Sequence, residues 1–493
     1  MGHVTEPVAC QNFVGGRFTP ATEEGENRCP ADGELLGSYP LSTADDAHAA
    51  IAAAKAAFPS WRDTPAPVRG DLVSAMADLL AARAETFARA LSLEEGKIYP
   101  EAYGEVQKTL KYLRFAAGDA RRMTGITAPS ELAGTFAYTF HRPHGVVGLI
   151  TPWNFPVCIP FWKLAPALIA GNTVVLKPAP ETPWTAHLIA ELCRDADVPD
   201  GVVNVVHGDV PPARALLESP DVHAISFTGS TEVGRIIEKA CGEHHKAVQC
   251  ELGGKNPIVV LDDGDVQKAA AATALGAFGS TGQRCTATSR AIVHERVADA
   301  FVEQVVAAAR AVVAGHPLDD ATTMGPSVSD RQLAQVLRYM DIGRDEAELR
   351  AGTGRLLDGG LDQGFFPCPT VFDRVASGAR IATEEIFGPV LSVIRVQDDD
   401  EALAAANGVD FGLTSSVFTS DLSRAFWFVQ HLDTGMTQVN APTIGGEGHL
   451  PFGGIKATGV GPREMGPEAW RFYSEPKTVY INHGGAKRTS RFY

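Results

Sequence analysis

The sequence predicts an α/β protein built on parallel sheets. Three observations carry this reading. Residues 43–118 have a helical texture, short apolar runs alternate with helical stretches from about Val146, and a second alternating block begins near Gly264. Strands separated by helices of such length imply right-handed crossovers and sheets covered on both faces.

In chain order, the Ala-rich runs 45–58 and 69–93 place apolar residues at three- and four-residue spacing, with Pro59, Pro65 and Pro67 read as breaks. The first alternating block then gives strands at 146–150, 173–176, 202–206, 224–227 and 257–261. Helices at 161–170, 185–195 and 232–241 lie between them. The second block gives a helix from about 264 to 278, a strand at 290–294, a helix at 297–313, and strands at 390–396 and 415–418. Two elements stand apart. Residues 135–141 alternate and precede Arg142-Pro143-His144-Gly145, read as a hairpin turn, and 477–481 form a lone strand near the carboxyl end. Paired, they would make a third, small sheet. The stretch 483–493 is polar and is expected to be loosely held.

Composition bounds the function. At 493 residues the chain has room for two or three domains and a core that needs no covalent staples. With 43 basic and 59 acidic residues the formal charge is −16, which argues against nucleic acid or an anionic membrane surface as a partner. Any anionic ligand must then be captured by local groups. The first thirteen residues show neither a secretory pattern nor a myristoylation signal, Glu6 standing where Ser or Thr would be needed, and no apolar run approaches a membrane span. Eight cysteines without a CxxC pair read as reduced thiols of a cytoplasmic protein, with no metal site.

Three segments carry chemistry. Phe227-Thr228-Gly229-Ser230-Thr231-Glu232-Val233-Gly234 follows a strand and opens a helix, a placement that admits both plain turn geometry and a phosphate site. Cys285 sits among small and polar residues in Gly279-Ser280-Thr281-Gly282-Gln283-Arg284-Cys285-Thr286. Its neighbours do not resemble core, and an adjacent cation favours thiolate. Glu251, ahead of Gly253-Gly254, reads as a solvated strand end or, if it faces Cys285 across a cleft, as a general base for water.

These segments, with Thr151-Pro152-Trp153-Asn154-Phe155-Pro156, Glu384-Glu385-Ile386-Phe387-Gly388-Pro389 and Pro451-Phe452-Gly453-Gly454-Ile455-Lys456, resemble the NAD(P)-dependent aldehyde dehydrogenase superfamily. The six motifs occur in order, and the resemblance runs from Val14-Gly15-Gly16 to Thr478-Val479-Tyr480. It implies a Rossmann-like cofactor domain (1–122 and 144–253), an α/β catalytic domain (254–458) and a small β oligomerisation arm (123–143 and 472–493). A homodimer or homotetramer is expected. Cys285 would attack the aldehyde, and Asn154 with the Cys285 amide would hold the oxyanion, a term on the order of 3 to 4 kcal/mol per donor. Glu251 would activate water on the resulting thioester, and Glu464 would relay protons from it. For NAD or NADP, the resemblance implies Lys177 at the adenosine ribose, Trp153, Gly229 and Ser230 at the pyrophosphate, and Glu385 with Phe387 at the nicotinamide ribose. Pro180 replaces the glutamate with which strictly NAD-using members repel a 2′-phosphate, and Glu181 follows it, so both cofactors stay open.

For the substrate, the motif around Cys285, with Gly461-Pro462-Arg463-Glu464 and Phe472-Tyr473, is similar to the 2-oxoglutarate semialdehyde (2,5-dioxopentanoate) dehydrogenase branch. That implies a small anionic aldehyde, with Arg284 forking onto its carboxylate. Lys108, Lys111 and Arg114 fall on a helix bordering the family's tunnel and are read as solvated. Phe155, Cys158, Phe161 and Trp162 would give an apolar, partly aromatic wall, which also admits aryl or phosphonate aldehydes. Transfer to coenzyme A and a non-catalytic role are the rival functions, and the presence of Glu251, Cys285 and Asn154 argues against both.

Overall fold

A computed structural model describes residues 6–20 and 22–484. The polar stretch from 485 onward and the first five residues, on which parts of the reading above rest, lie outside it. Of the five sheets among the described residues, three organise the chain. The first has eight strands in the order Gly459–Val460, Ala247–Glu251, Val222–Thr228, Val146–Ile150, Thr173–Lys177, Val203–Val205, Asn12–Val14, Arg17–Thr19. Its five central strands are parallel and all but Val222–Thr228 and Ala247–Glu251 are buried at every position, as a sheet with helices on both faces requires. The second has seven strands, with Val390–Val396, Thr288–His294, Asn256–Val260 and Thr414–Phe418 parallel at its centre.

The third sheet joins the two isolated elements. Ser474–Asn482 runs antiparallel to Thr135–Pro143 over nine paired residues, from Ser474 with Pro143 to Asn482 with Thr135. Thr127–Pro129 pairs on the other side. Residues 142–145 are therefore not a hairpin turn. The strand Thr135–Pro143 continues through Arg142 and Pro143, and the chain passes into Val146–Ile150 of the first sheet, whose neighbours are different strands.

Two helix boundaries also differ from expectation. The helix Ala44–Asp63 runs through Pro59, close to its end, because Trp61 is buried and the Thr64 hydroxyl and amide bond back to Ser60 and Trp61. Conversely, 69–93 divides into Ala66–Ala82 and Ala84–Glu95 at Arg83, whose φ of −114° and ψ of 19° leave the helical region and whose guanidinium pairs with Asp195.

Candidate active site

The register of the first sheet sets its carboxyl edge. Ile150 lies beside Lys177 on one side and Phe227 on the other, and Thr228 lies beside Glu251. The loops leaving these ends carry Trp153, Asn154, Pro180, Gly229 and Ser230, in the crevice where open parallel sheets take ligands. From the second sheet, the loop between the helix Val266–Phe278 and the strand Thr288–His294 brings Cys285 to the same place.

A cavity of about 270 Å³ opens there. Cys285, Glu251, Glu464, Arg284, Phe155 and Trp162 all line it, together with Glu101, Glu105, Lys108 and Phe452. Cys158 and Phe161 are buried behind it. Of the eight thiols, only Cys285 and Cys368 escape full burial, and only Cys285 reaches this cavity.

The Cys285 loop is held in an unusual path. Ser280 and Thr281 take φ of 47° and 56°, a left-handed conformation costly for residues with a Cβ, and Gly282 continues it at 66°. Side chains fix the turn. Asn256 Nδ2 donates to the Cys285 and Ala287 carbonyls, each at 2.8 Å, the Thr443 hydroxyl donates to the Thr286 carbonyl at 2.8 Å, and Gln283 Oε1 accepts from the Val328 amide. Burial pushes the Cys285 thiol up to about 12, and the carboxylates of Glu251 and Glu385 act in the same direction. The resting sulfur is thus protonated.

Glu251 is 4% exposed, and its Oε2 is buried without a hydrogen-bond partner. Burial, then the charge of Glu464, holds its carboxyl well above the usual range, while Lys163 and Arg463 oppose this. Glu464 is paired with Lys163, which also donates to Ser226 Oγ at 2.9 Å. Ser226 in turn donates to Gln249, and Gln249 to the Pro462 carbonyl, so the residue pair is tied to both strands beneath the cavity.

Asn154 is buried, and its Nδ2 donates to the Gln283 carbonyl at 3.0 Å, beside the cysteine loop. Its own carbonyl accepts from Lys97 Nζ at 2.6 Å. Lys97 also pairs with Glu105 at 2.7 Å, and the other Glu105 oxygen accepts the amides of Val157 and Cys158.

The two expectations for cationic groups are altered. Arg284 is not a free guanidinium: it pairs with Glu101 at 2.8 Å and donates twice to Ser280 Oγ. Sequence could not reveal this, because the partner lies 183 residues away on another helix. Lys108, by contrast, is not simply solvated. It reaches the cavity wall with its ammonium 5.0 Å from the Trp162 ring centroid and forms no ion pair among the described residues. Lys111 and Arg114 are exposed, as read.

Around the crevice, Lys177 is buried and its amine is lowered by that burial, against the upward pull of Asp209 and Glu181. Pro180 and Glu181 are partly exposed, and burial raises the Glu181 carboxyl. Ser230 caps the helix Thr231–Glu243, accepting from the Val233 amide, and Gly229 N donates to the Glu251 carbonyl at 3.1 Å. Glu385 accepts from the Gly254 amide at 2.9 Å, and burial raises it to about 7. Trp153 and Phe387 meet edge to face at 5.5 Å, Phe387 with φ of 59°. Thr151, Thr228 and Thr231 hydroxyls are buried at this edge without partners.

Lys97, Glu101, Glu105, Lys163 and Asn256 escaped the sequence reading. Two carried a signal. Lys163 is the one charge in the otherwise apolar helix Cys158–Ala170, and Glu105 shares a helix face with Ala102 and Thr109. One Cys–His–carboxylate group occurs elsewhere among the described residues, formed by Cys29, Asp32 and His316. The Leu318 amide donates to His316 Nδ1, so in the neutral ring Nε2 carries the proton toward Asp32.

The profile of the Aldehyde dehydrogenase family matches residues 18–479. An alpha-ketoglutaric semialdehyde dehydrogenase of Bacillus subtilis is 40% identical over 98% of this chain and 100% of its own. An alpha-ketoglutarate semialdehyde dehydrogenase of Haloferax volcanii is 43% identical over 97% and 100%. A solved betaine aldehyde dehydrogenase of Staphylococcus aureus in complex with NAD+ superimposes with a TM-score of 0.95 at 31% identity, covering 97% of this chain and 96% of that one. An NADP dependent enzyme of E. coli gives 0.93 at 35%, covering 96% and 98%.

Proposed function

The chain belongs to the aldehyde dehydrogenase family, and on that premise we propose that it oxidises a small anionic aldehyde, a semialdehyde, to the acid by covalent catalysis on Cys285. The observation that carries the reading is one cavity holding a thiol, a carboxylate with one orphaned oxygen and an unpaired ammonium. Cys285 Sγ bonds to the aldehyde carbon after losing its proton. The raised thiol and the raised Glu251 carboxyl make Glu251 a fitting proton acceptor nearby. Asn154 Nδ2, now resting on the Gln283 carbonyl, would turn to the oxyanion beside the Cys285 amide. NAD(P), when bound, supplies the hydride acceptor. Glu251, having passed on the thiol's proton, takes a second one from water, whose oxygen bonds to the acyl carbon as the acyl–sulfur bond breaks, releasing the acid and the Cys285 thiolate. Lys163 and Glu464 provide a buried route by which that proton leaves. A hydrolytic base in the cavity favours water over coenzyme A as the acyl acceptor.

The crevice fits a dinucleotide, since three orphaned threonine hydroxyls and a buried lysine gather at its edge. Lys177, Trp153, Gly229, Ser230, Glu385 and Phe387 would hold it. We read the preference as NAD. Glu181 and Asp209 both act on Lys177, and negative charge near that lysine would disfavour a 2′-phosphate despite Pro180. For the substrate anion, Lys108 offers the unpaired charge and Arg284 a second once Glu101 yields. The aromatic wall of Phe155 and Trp162 suits the chain between the two ends.

The three sheets support the division into cofactor-binding residues 1–122 and 144–253, catalytic residues 254–458 and arm residues 123–143 and 472–493, of which 1–5, 21 and 485–493 lie outside the described residues. The arm exposes Phe136, Phe140, Tyr480 and Ile481, a face suited to a second copy and hence to a homodimer or homotetramer. Among the described residues no helix is long and apolar enough to cross a membrane.

The test is a panel of semialdehydes, aliphatic aldehydes and benzaldehyde with NAD or NADP, read at the reduced-nicotinamide absorbance, with and without coenzyme A. Higher kcat/KM on semialdehydes is expected. A preference for neutral aldehydes would overturn the substrate class, and turnover by Cys285→Ala would overturn the mechanism.

A further inference from the structure

We infer that Lys97 and Glu105 are positioning residues that act through Asn154, holding the oxyanion donor in register with the nucleophile. The inference rests on the role proposed for Asn154. The loop Trp153–Val157 belongs to the first sheet and Cys285 to the second, so nothing in either sheet alone fixes their separation. Something must bridge them, because misplacement by about 1 Å can cost about a hundredfold in rate.

The bridge is the junction of the helices Ala84–Glu95 and Tyr99–Asp119. On the Asn154 side it grips the loop twice. Lys97 Nζ donates to the Asn154 carbonyl at 2.6 Å, and Glu105 takes the Val157 and Cys158 amides at 2.9 and 3.0 Å. The two side chains pair at 2.7 Å and are 1% and 0% exposed. The ammonium also lies 4.1 Å from the Phe155 ring centroid, so successive loop residues are held from one point. On the Cys285 side, four residues further along the same junction, Glu101 accepts the Ser280 amide at 2.9 Å and the Arg284 guanidinium at 2.8 Å. One rigid piece thus touches both reacting loops.

Neither Lys97 nor Glu105 is required to touch the reacting atoms. A buried pair could instead serve stability alone, and the two roles separate in a double-mutant cycle. Steady-state kinetics of the full chain are measured with NAD and propanal, a neutral probe that keeps substrate charge out of the result. Asn154→Ala is expected to lower kcat about a hundredfold or more. Lys97→Met is expected to lower it about tenfold, with KM for NAD within about twofold. In the Asn154→Ala background, Lys97→Met should then add less than about a twofold loss. The isosteric Glu105→Gln goes through the same cycle, because it keeps an oxygen for the loop amides and guards against a misfolded Lys97→Met. A full, multiplicative loss in the Asn154→Ala background would overturn the inference, as would unchanged kcat in both single variants. If Asn154→Ala itself keeps full kcat, the role of Asn154 fails instead, which is a different result.

Discussion

Replacing Glu101 by Gln tests what its ion pair with Arg284 does to substrate choice. The pair closes at 2.8 Å with side chains 15% and 18% exposed, so it is largely shielded from water. At an effective dielectric constant of about 20, the bare attraction is about 6 kcal/mol, most of it offset by the loss of hydration. The net value of a hydrogen bond to a charged group is about 1.5 to 3 kcal/mol. A substrate carboxylate that recruits Arg284 has to compete with that. Glu101→Gln keeps an oxygen for the guanidinium and for the Ser280 amide but removes the charge, releasing roughly half, about 1 to 1.5 kcal/mol. The expected result is a rise of about five- to tenfold in kcat/KM for succinic semialdehyde relative to butanal. The gain should shrink in high salt. An unchanged ratio would show that Arg284 takes no part in binding the anion, and a fall would show that Arg284 serves it only while oriented by Glu101.

Other outcomes follow from the same geometry. Lys108→Met should raise KM for succinic semialdehyde about tenfold while leaving butanal within about twofold, and equal effects on both would assign Lys108 to packing. Because the Cys285 thiol and Glu251 carboxyl are both raised in the folded protein, the deprotonated forms grow as pH rises, so kcat/KM should climb between pH 6 and 9. A flat profile would refute the assignment of a protonated resting thiol. Glu251→Gln should slow both the burst of reduced nicotinamide, by removing the thiol's proton acceptor, and the turnover that follows, and a full-rate burst with slow turnover would confine Glu251 to hydrolysis of the thioester. Replacing both Glu181 and Asp209 by their amides should improve use of NADP relative to NAD, and an unchanged ratio would leave the preference to other groups.

Where the chain alternates apolar runs with helices, its architecture was open to reading, since a buried parallel strand leaves a continuous apolar signature. The strand Val390–Val396 matches its predicted bounds. Pro59 misled because helix ends tolerate proline when burial of a neighbour, here Trp61, holds the last turn. At the site, the motif residues line the cavity and the crevice edge, yet their partners were hidden. Lys97 sits between two helices, and Glu101 and Glu105 on a helix, where charges usually face water, and what they grip lies 57, 183 and 52 residues further along. Local spacing carries no trace of contacts at that range. The ion pair of Arg284 was hidden for the same reason, since its countercharge, Glu101, comes from a distant helix.

The last strand of the first sheet has a temporal consequence. Gly459–Val460 closes against Ala247–Glu251, and the Leu252 amide is capped by the Thr458 carbonyl. The edge beside Glu251 therefore stays open until some two hundred further residues have left the ribosome. During synthesis the Cys285 loop can emerge while Glu251 lacks both this wall and Glu464. Pairing across so long a separation is slow in comparison with helix formation. On the proposed mechanism, a nascent chain would carry the thiol before the residues that use it, and competence would arrive late, with closure of that edge.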